Sequence, residues 1–515
     1  MHQPIHSIVI LGGGTAGWLC AGTIAARVKK EHATPPTITL IESPKVPTVG
    51  VGEGTWPTMR ATLRKMGIRE TDFIRECHVA FKQGAQFNQW TTGEHKDSYF
   101  HPLMLPRSFS DINLAPHWLN GNTGTSFADA VCPQDTLCIN GLAPKNITTP
   151  EYAAVANYAY HLDAGAFANF LRRHCVNTLG VRHISDEVTQ VNSHDNGDIS
   201  SLTTDNHGAI SGELFIDCSG FRSRLLGQHY QVPFKSCKDV LFIDRALAVH
   251  LPSPSPDTPI ASYTISTAQD NGWIWDIGLP TRRGVGHVFS SAHGSAEQAY
   301  QNLARYAAQS GHDIDKLSVR EIPIEPGHRT KFWQNNCVAV GLSAGFLEPL
   351  EASALVLVEI SADMIASQLP ATRSTMDIVA KRFNKTFLYR WQRIIDFLKL
   401  HYCLSKRDDS DFWRDNRSNI PSDLQELLAL WQFQAPWDSD FDQAIEVFPA
   451  ASYQYVLYGM GFTTDMGKRG LSKEQQQRAE FEFIQNRQTS QQLARALPDH
   501  RELLNKIYQH GLSQV

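Results

Sequence analysis

Apolar residues recur along this chain with two periods, one close to two residues and one close to 3.6, and the alternation predicts its elements. Ile8-Val9-Ile10-Leu11 is a short apolar run rich in β-branched residues, the pattern of a strand buried on both faces. Residues 18–30 have small and apolar positions at helical spacing and end on Lys29-Lys30, cations that suit a helix C-terminus. Thr37-Ile38-Thr39-Leu40-Ile41 predicts a second strand, so the chain opens as β-α-β. Helical spacing is expected over 58–87 and again over 160–178, separated by a Pro-, Gly-, Asn- and Thr-rich irregular excursion over 95–150. Residues 181–192 and 199–218 predict strands and hairpins. Residues 247–289 predict an extended sheet, with turns at 252–259 and at Asp270-Asn271-Gly272. Residues 337–340 form another buried strand pattern, followed by a loop and a helix opening near Glu351. Beyond about Asn384 strand signals fade, while Ser472-Lys473-Glu474-Gln475 and Asp499-His500-Arg501-Glu502 read as capping boxes and Gly511 as a stop. The expected organisation is a core over 1–383 and a mainly helical region over 384–515, with no internal repeat.

Composition narrows the functional classes. With 47 Lys+Arg against 52 Asp+Glu the net charge is −5, which gives no electrostatic footprint for nucleic acid or an anionic membrane. Hydrophobic residues at 42% and charged residues at 19% leave ample material for a large core. The most apolar stretch, 352–360, is interrupted by Glu359, so no membrane span is expected. The N-terminus does not read as a signal peptide, because a glycine cluster follows the short apolar run at once. Nine scattered cysteines without a CxxC read as reduced thiols of a cytoplasmic protein rather than a disulfide frame or a metal site. The sequons at Asn146 and Asn384 then count as chance matches.

The first chemical signal is Gly12-x-Gly14-x-x-Gly17 between the first strand and the first helix. Gly12 permits a tight turn, Gly14 lets the backbone approach a pyrophosphate, and Gly17 lets helix and strand pack closely. The helix N-terminus offers amide donors to the anion. Glu42 closes the second strand 25 residues after Gly17, where a carboxylate accepts ribose hydroxyls. The turn alone does not choose between FAD and NAD. No second such motif follows a strand, which points to a flavin reduced elsewhere or by a transient NADPH visit.

Further motifs carry a resemblance. They are residues 8–18 around the glycine turn, Thr48-Val49-Gly50-Val51-Gly52-Glu53-Gly54, Ala80-Phe81-Lys82-Gln83-Gly84-Ala85-Gln86-Phe87, Phe215-Ile216-Asp217-Cys218-Ser219-Gly220-Phe221-Arg222, Trp273-Ile274-Trp275-Asp276-Ile277, and 341–351, which reads GLSAGFLEPLE. With them, over residues 5 to about 470, the chain resembles the flavin-dependent halogenases of the tryptophan halogenase family. The resemblance implies an α/β fold of mixed type: a Rossmann-like FAD-binding domain of the flavin monooxygenase kind with an inserted mixed sheet and a C-terminal helical region. It implies that reduced FAD, delivered by a separate NAD(P)H:flavin reductase as a diffusible cofactor, reacts with O2 and halide to give hypohalous acid. FAD contacts are implied at Gly12, Gly14, Thr15, Ala16, Gly17, Glu42, Val49, Gly54, Val188, Leu342 and Leu355. Halide is implied at the backbone amides of Ser353 and Ala354, where the family more often has Thr-Gly. Trp273 and Trp275, sharing one strand face, are implied as a partition between flavin and substrate, and His101 and Phe448 as substrate contacts.

Lys82 and Glu351 are the implied catalytic pair, and the reading requires them to converge away from bulk solvent. An ammonium can hydrogen-bond hypohalous acid, or an amine can carry the halogen as a haloamine; the sequence leaves both open, although an apolar setting favours the amine. The bland alternative for Lys82 is a solvated helix lysine. A carboxylate at 351 would stabilise the cationic ring intermediate and take its proton, whereas Glu348 reads as an ordinary loop carboxylate before Pro349. Departures from the family pattern cluster on the substrate side: Leu103 for phenylalanine, Gly278 for proline, Pro449 for tryptophan, and no tyrosine pair in 437–450. Without anchors for a zwitterion, indole or another electron-rich aromatic is the expected substrate rather than free tryptophan, with bromide or chloride as halide. The rival readings are an aromatic hydroxylase using the same reduced flavin, and a non-catalytic flavin-binding protein.

Overall fold

The structure is a computed structural model that describes residues 5–46, 52–121, 124–466 and 471–514. It divides into two compact units. The first is built from residues 1–79, 162–237 and 325–391, and the second from 80–161, 238–324 and 392–515.

The first unit has a six-stranded sheet in the order Trp333–Gln334, Cys337–Ala339, Leu214–Asp217, Ser7–Leu11, Thr37–Glu42, Arg182–Ser185. All neighbours are parallel except the antiparallel pair at the Trp333 edge. The apolar run at 8–11 is buried on both faces, as its lack of alternation predicts, because the sheet is covered on both sides. Helix Thr15–Glu31 lies between helices Ala164–Asn177 and Ser353–Ser367. A three-stranded antiparallel sheet (Val188–Ser193, Ile199–Thr204, Gly208–Ser211) contributes Val188, Ile199 and Leu202 to a core shared with Val9, Leu11, Ile41 and Phe215.

Helix Thr58–Lys65 packs on Ser353–Ser367 and places Thr58 and Thr62 on the buried Glu359. The Thr62 hydroxyl donates to its carboxylate at 2.6 Å and Thr58 at 3.3 Å. Burial still outweighs these hydrogen bonds and raises the carboxyl to about 8.

The second unit has a seven-stranded sheet in the order Arg320–Pro323, Arg245–Pro252, Arg282–Phe289, Gly272–Gly278, Thr264–Gln269, Gly84–Asn88, Ser98–Pro102. Only the pairing of Thr264–Gln269 with Gly84–Asn88 is parallel. Period-two alternation separates its faces. Leu247, Val249, Ile274, Val285 and Phe289 pack under helix Ala296–Ala308. Trp273 and Trp275 project to the other face, where Trp90 lies 6.0 Å from the Trp273 ring. Gly286 stands opposite Trp275, and the indole fills the space its side chain would occupy. Among the described residues after Phe346 the regular elements are helices, including Arg373–Cys403, Ala450–Gly459, Lys473–Ala496 and His500–His510. Ser472 and Asp499 each accept the amide expected of a helix N-cap, and Gly511 ends the last helix at φ +72°.

Three expectations are corrected. The helix expected over 58–87 breaks into helices Thr58–Lys65 and Glu70–Glu76 followed by strands Ala80–Lys82 and Gly84–Asn88. Lys82 is therefore a strand residue, not a helix residue. The helix expected from 160 starts at Ala164, because Ala159–Asp163 pairs as a strand with Ala80–Lys82. The excursion over 95–150 contains strand Ser98–Pro102, which holds His101, and helices Ala115–Gly121, Phe127–Val131 and Gln134–Ile139.

Two outcomes follow from the packing. Gly286→Ala would bring a methyl to 2.1 Å of Trp275 Cη2 and 2.6 Å of the Leu247 carbonyl, so urea unfolding is expected to show a loss of about 1–3 kcal/mol. Because the folded Glu359 pKa stands above its unfolded value, the folded state holds the extra proton between pH 4.5 and about 8. That term destabilises the wild type progressively as pH rises through this window, and Glu359→Gln is expected to flatten that part of the stability–pH curve.

Candidate active site

In the first unit the glycine turn is built as its spacing requires. Gly12 has φ +117°, its N–H donates to the Ile41 carbonyl at 2.8 Å, and a Cβ there would lie 2.1 Å from the Cys218 carbonyl. Gly17 is equally crowded, 1.9 Å from the Gly12 carbonyl. Gly14 differs: a Cβ would meet no protein atom within 4 Å. It is the N-cap of Thr15–Glu31, and no side chain caps that terminus and no acid occupies its first turn. An open, uncapped, acid-free helix start supplies what a pyrophosphate takes: free amide donors and the positive end of the helix dipole. Glu42 packs over Gly13 at the end of its strand, with Oε2 3.0 Å from His183 Nε2. These residues fit an FAD diphosphate: the helix start offers free amides at Thr15 and Ala16, and Glu42, at the end of the neighbouring strand, is a carboxylate able to accept from ribose hydroxyls.

Of the other implied FAD contacts in this unit, Gly54 is buried in strand Gly52–Gly54 and Val188 is buried at the start of its strand. Leu342 is exposed in the turn Gly341–Ser343, and Leu355 is buried in helix Ser353–Ser367. Val49 lies outside the described residues.

Glu351 is 8% exposed and sits in a tight turn, Leu350–Ala352, that opens helix Ser353–Ser367. Both Glu351 (φ 62°) and Ala352 (φ 54°) are left-handed. A single such non-glycine residue is uncommon, and two in succession persist only when their surroundings hold them. Trp56 Nε1 donates to the Glu351 carbonyl at 2.9 Å and supplies part of that hold. Ser353 and Ala354 are the first residues of the helix, which is where free amides stand. Trp56 was not singled out in the sequence, since nothing in its spacing links it to residue 351.

In the second unit Lys82 ends strand Ala80–Lys82 and is 3% exposed. Lysine is almost never this buried unless its charge has partners. Phe81, on the opposite strand face, packs edge-on to Tyr158 at 5.0 Å, and its amide donates to His500 Nε2 at 3.0 Å. His500 Nδ1 lies 3.0 Å from the Ile260 carbonyl, an acceptor only, so this ring is neutral with its proton on Nδ1. Burial depresses its pKa to about 4, in keeping with that tautomer.

His101 is 2% exposed, with Nε2 3.0 Å from the Ser452 hydroxyl and its ring centroid 5.8 Å from Phe397 and 6.0 Å from Tyr455. Phe448 is stacked on Phe397 at 3.8 Å. Phe397, Ser452 and Tyr455 escaped sequence reading because they lie on helices whose apolar pattern reads as core. Trp273 and Trp275 are buried on one face of the sheet. Gly12, Gly14, Gly17, Glu42, Glu351, Ser353 and Ala354 thus fall in the first unit, and Lys82, His101, Trp273, Trp275 and Phe448 in the second.

A dinucleotide turn of this geometry defines a class, an α/β protein that binds a nucleotide cofactor. The model of the tryptophan halogenase family matches residues 7–476, and the chain belongs to that family. It is 31% identical to tryptophan 6-halogenase SttH of Streptomyces toxytricini, over 96% of this chain and 97% of that one. Among solved structures, a tryptophan halogenase from Shewanella frigidimarina NCIMB 400 superposes with a TM-score of 0.97 at 50% identity, covering 100% and 99% of the two chains. BrvH, a flavin-dependent halogenase from Brevundimonas sp. BAL3, does so with 0.85 at 31%, covering 98% and 99%. The protein is a flavin-dependent halogenase, an oxidoreductase with a Rossmann-type FAD fold that uses FAD and halide. No described helix is long and apolar enough to cross a membrane.

The two glycines separate cofactor binding from folding. Gly14→Ala is expected to leave the melting temperature of the FAD-free protein within about 2 °C of wild type, since its φ of −73° suits any residue and its Cβ meets nothing. Its FAD affinity, read by flavin fluorescence titration, should fall at least about tenfold. Gly17→Ala, clashing at 1.9 Å, should lower the melting temperature itself.

Proposed function

We propose that this halogenase places bromide or chloride on an electron-rich aromatic such as indole rather than on free tryptophan. In this reading a separate NAD(P)H:flavin reductase supplies reduced FAD by diffusion in the cytoplasm. Bound reduced FAD, with O2 and halide, supplies the two-electron oxidation that yields hypohalous acid. Lys82 donates a hydrogen bond to that acid, which polarises the oxygen–halogen bond toward transfer. The aromatic carbon attacks the halogen, the departing hydroxyl takes a proton from the Lys82 ammonium and leaves as water, and the Glu351 carboxylate takes the ring proton, after which solvent exchange restores both groups. Ser353 and Ala354 hold halide by backbone amides at the helix start, where a methyl at 354 replaces the family's usual glycine. Trp273 and Trp275 keep flavin and substrate apart, and His101 and Phe448 line the substrate side.

The observation that carries this reading is the siting of Lys82 at the end of a short strand within the family's motif, 3% exposed; Lys145 and Lys399 are buried too, but their ammoniums are held by the Pro150 and Val240 carbonyls. The strained turn at Glu351 supports a functional carboxylate in the same way. Substrate choice is supported by the segment 437–450, where the resemblance implies the amino-acid anchors of tryptophan-specific members. There Asp440 accepts from Trp431 Nε1 at 2.9 Å and from the Trp437 amide at 3.0 Å, so its charge is spent within its own loop.

The test is incubation with reduced FAD, O2 and bromide or chloride over a panel containing indole and tryptophan, read by mass spectrometry. Halogenated indole formed faster than halogenated tryptophan is expected. Lys82→Met and Glu351→Gln should each cut product at least about a hundredfold while FAD still binds. Hydroxylated product without halogen, or tryptophan turned over much faster than indole, would defeat the reading.

A further inference from the structure

We infer that Trp56 is a positioning residue for the halide site: by holding the Glu351 carbonyl, its indole N–H keeps the Leu350–Ala352 turn left-handed and fixes where the Ser353 and Ala354 amides stand. This rests on the proposed halide role of those amides and deepens it. The turn works against its own residues. Glu351 at φ 62° and Ala352 at φ 54° each bring a Cβ toward the following carbonyl, so the pair relaxes out of the left-handed region unless something opposes it. The 351–352 peptide is held at both polar ends. Its carbonyl accepts from Trp56 Nε1 at 2.9 Å, and its amide donates to the Pro349 carbonyl at 3.0 Å. A peptide flip would break both hydrogen bonds at once.

Orientation matters here because the helix starts at the next residue. Ser353 and Ala354 open helix Ser353–Ser367, whose N-cap is Ala352; no side chain caps that start and no acid stands in its first turn. Amides in a first turn have no carbonyl partner within the helix, and their direction follows the peptide before them. A single backbone rotation at 351–352 therefore re-aims the donors that an anion meets.

Trp56 is itself fixed on the same two helices. Its carbonyl accepts from the Met59 amide at 3.0 Å, which ties it to the start of helix Thr58–Lys65. That helix is bonded to Ser353–Ser367 a second time, through Thr62 and Thr58 to the buried Glu359. The indole thus reaches the turn from a support anchored to the helix whose start it sets.

Trp56→Phe keeps an aromatic ring and removes the donor. In the full-length, FAD-loaded enzyme it is expected to raise the KM for bromide at least about fivefold, with kcat at saturating bromide within about threefold of wild type and FAD affinity within about twofold. Glycine tolerates the left-handed region, so Ala352→Gly added to Trp56→Phe should return the bromide KM to within about twofold of wild type. An unchanged bromide KM in Trp56→Phe, or a raised one that Ala352→Gly does not restore, would overturn the inference. A wild type that makes no halogenated product, or whose rate ignores bromide concentration, would sink the parent reading instead. In that case the melting temperature still decides: a loss in Trp56→Phe that Ala352→Gly recovers upholds the indole's hold on the turn, and a loss that persists, or none, ends it.

Discussion

The second unit buries several cations, Lys145 and Lys399 fully and Lys82 at 3% exposed, and the siting of Lys82 sets the terms for the rest. An ammonium is costly to bury, and the cost is met by hydrogen-bonding and charged partners around it. Lys82 has a strand to fix its direction, and His161 and His500 on the neighbouring elements are both kept from protonating by burial. A helix would have fanned residues 80 and 82 apart by about 200° at roughly 100° per residue. A strand keeps them on one face and sends Phe81 into an aromatic cluster with Tyr158 and Tyr160. The local geometry and the electrostatics are linked: the pairing that aims the charge also brings up the neutral His161 imidazole on the same face.

The first unit spends its conformational strain at two turns. At the glycine turn a positive φ at Gly12 and close approach at Gly17 cost nothing sterically, because neither carries a side chain. At Glu351 and Ala352 the same left-handed region is occupied by residues with Cβ atoms, at about 1–2 kcal/mol each. Burial of Leu350 beside them and the hydrogen bond from Trp56 hold that conformation against its own preference. The helix that follows then starts at a defined point, with its first amides at Ser353 and Ala354.

Legibility followed the length of each pattern. The strand at 7–11 and the helix behind its glycine turn were readable because a continuous apolar run and a helical stripe meet at a glycine signature. The strand carrying Lys82 was not. Three residues hold too little periodicity to set against the helical spacing before them, and their partner strand begins at Ala159, far along the chain. The same pairing took Tyr160 and His161 out of the expected helix. His101 read as a loop histidine for a similar reason: its strand borders the seven-stranded sheet only through Gly84–Asn88. Trp273 and Trp275 were legible as face-sharing neighbours because alternation on a seven-residue strand is unambiguous.

By itself the sequence determined the dinucleotide turn, the alternating tryptophans, the helical C-terminal region and the membership that its motifs announce, because each is encoded within a short window by spacing or by glycine. Tertiary structure decided what depends on partners distant in sequence: that Lys82 lies on a strand, that His161 faces the same side with one nitrogen unsatisfied, that Trp56 holds the turn at Glu351, and that Phe448 stacks on Phe397. Spacing along the chain fixes which side a residue can take. Only the pairing of separated segments fixes what it meets there.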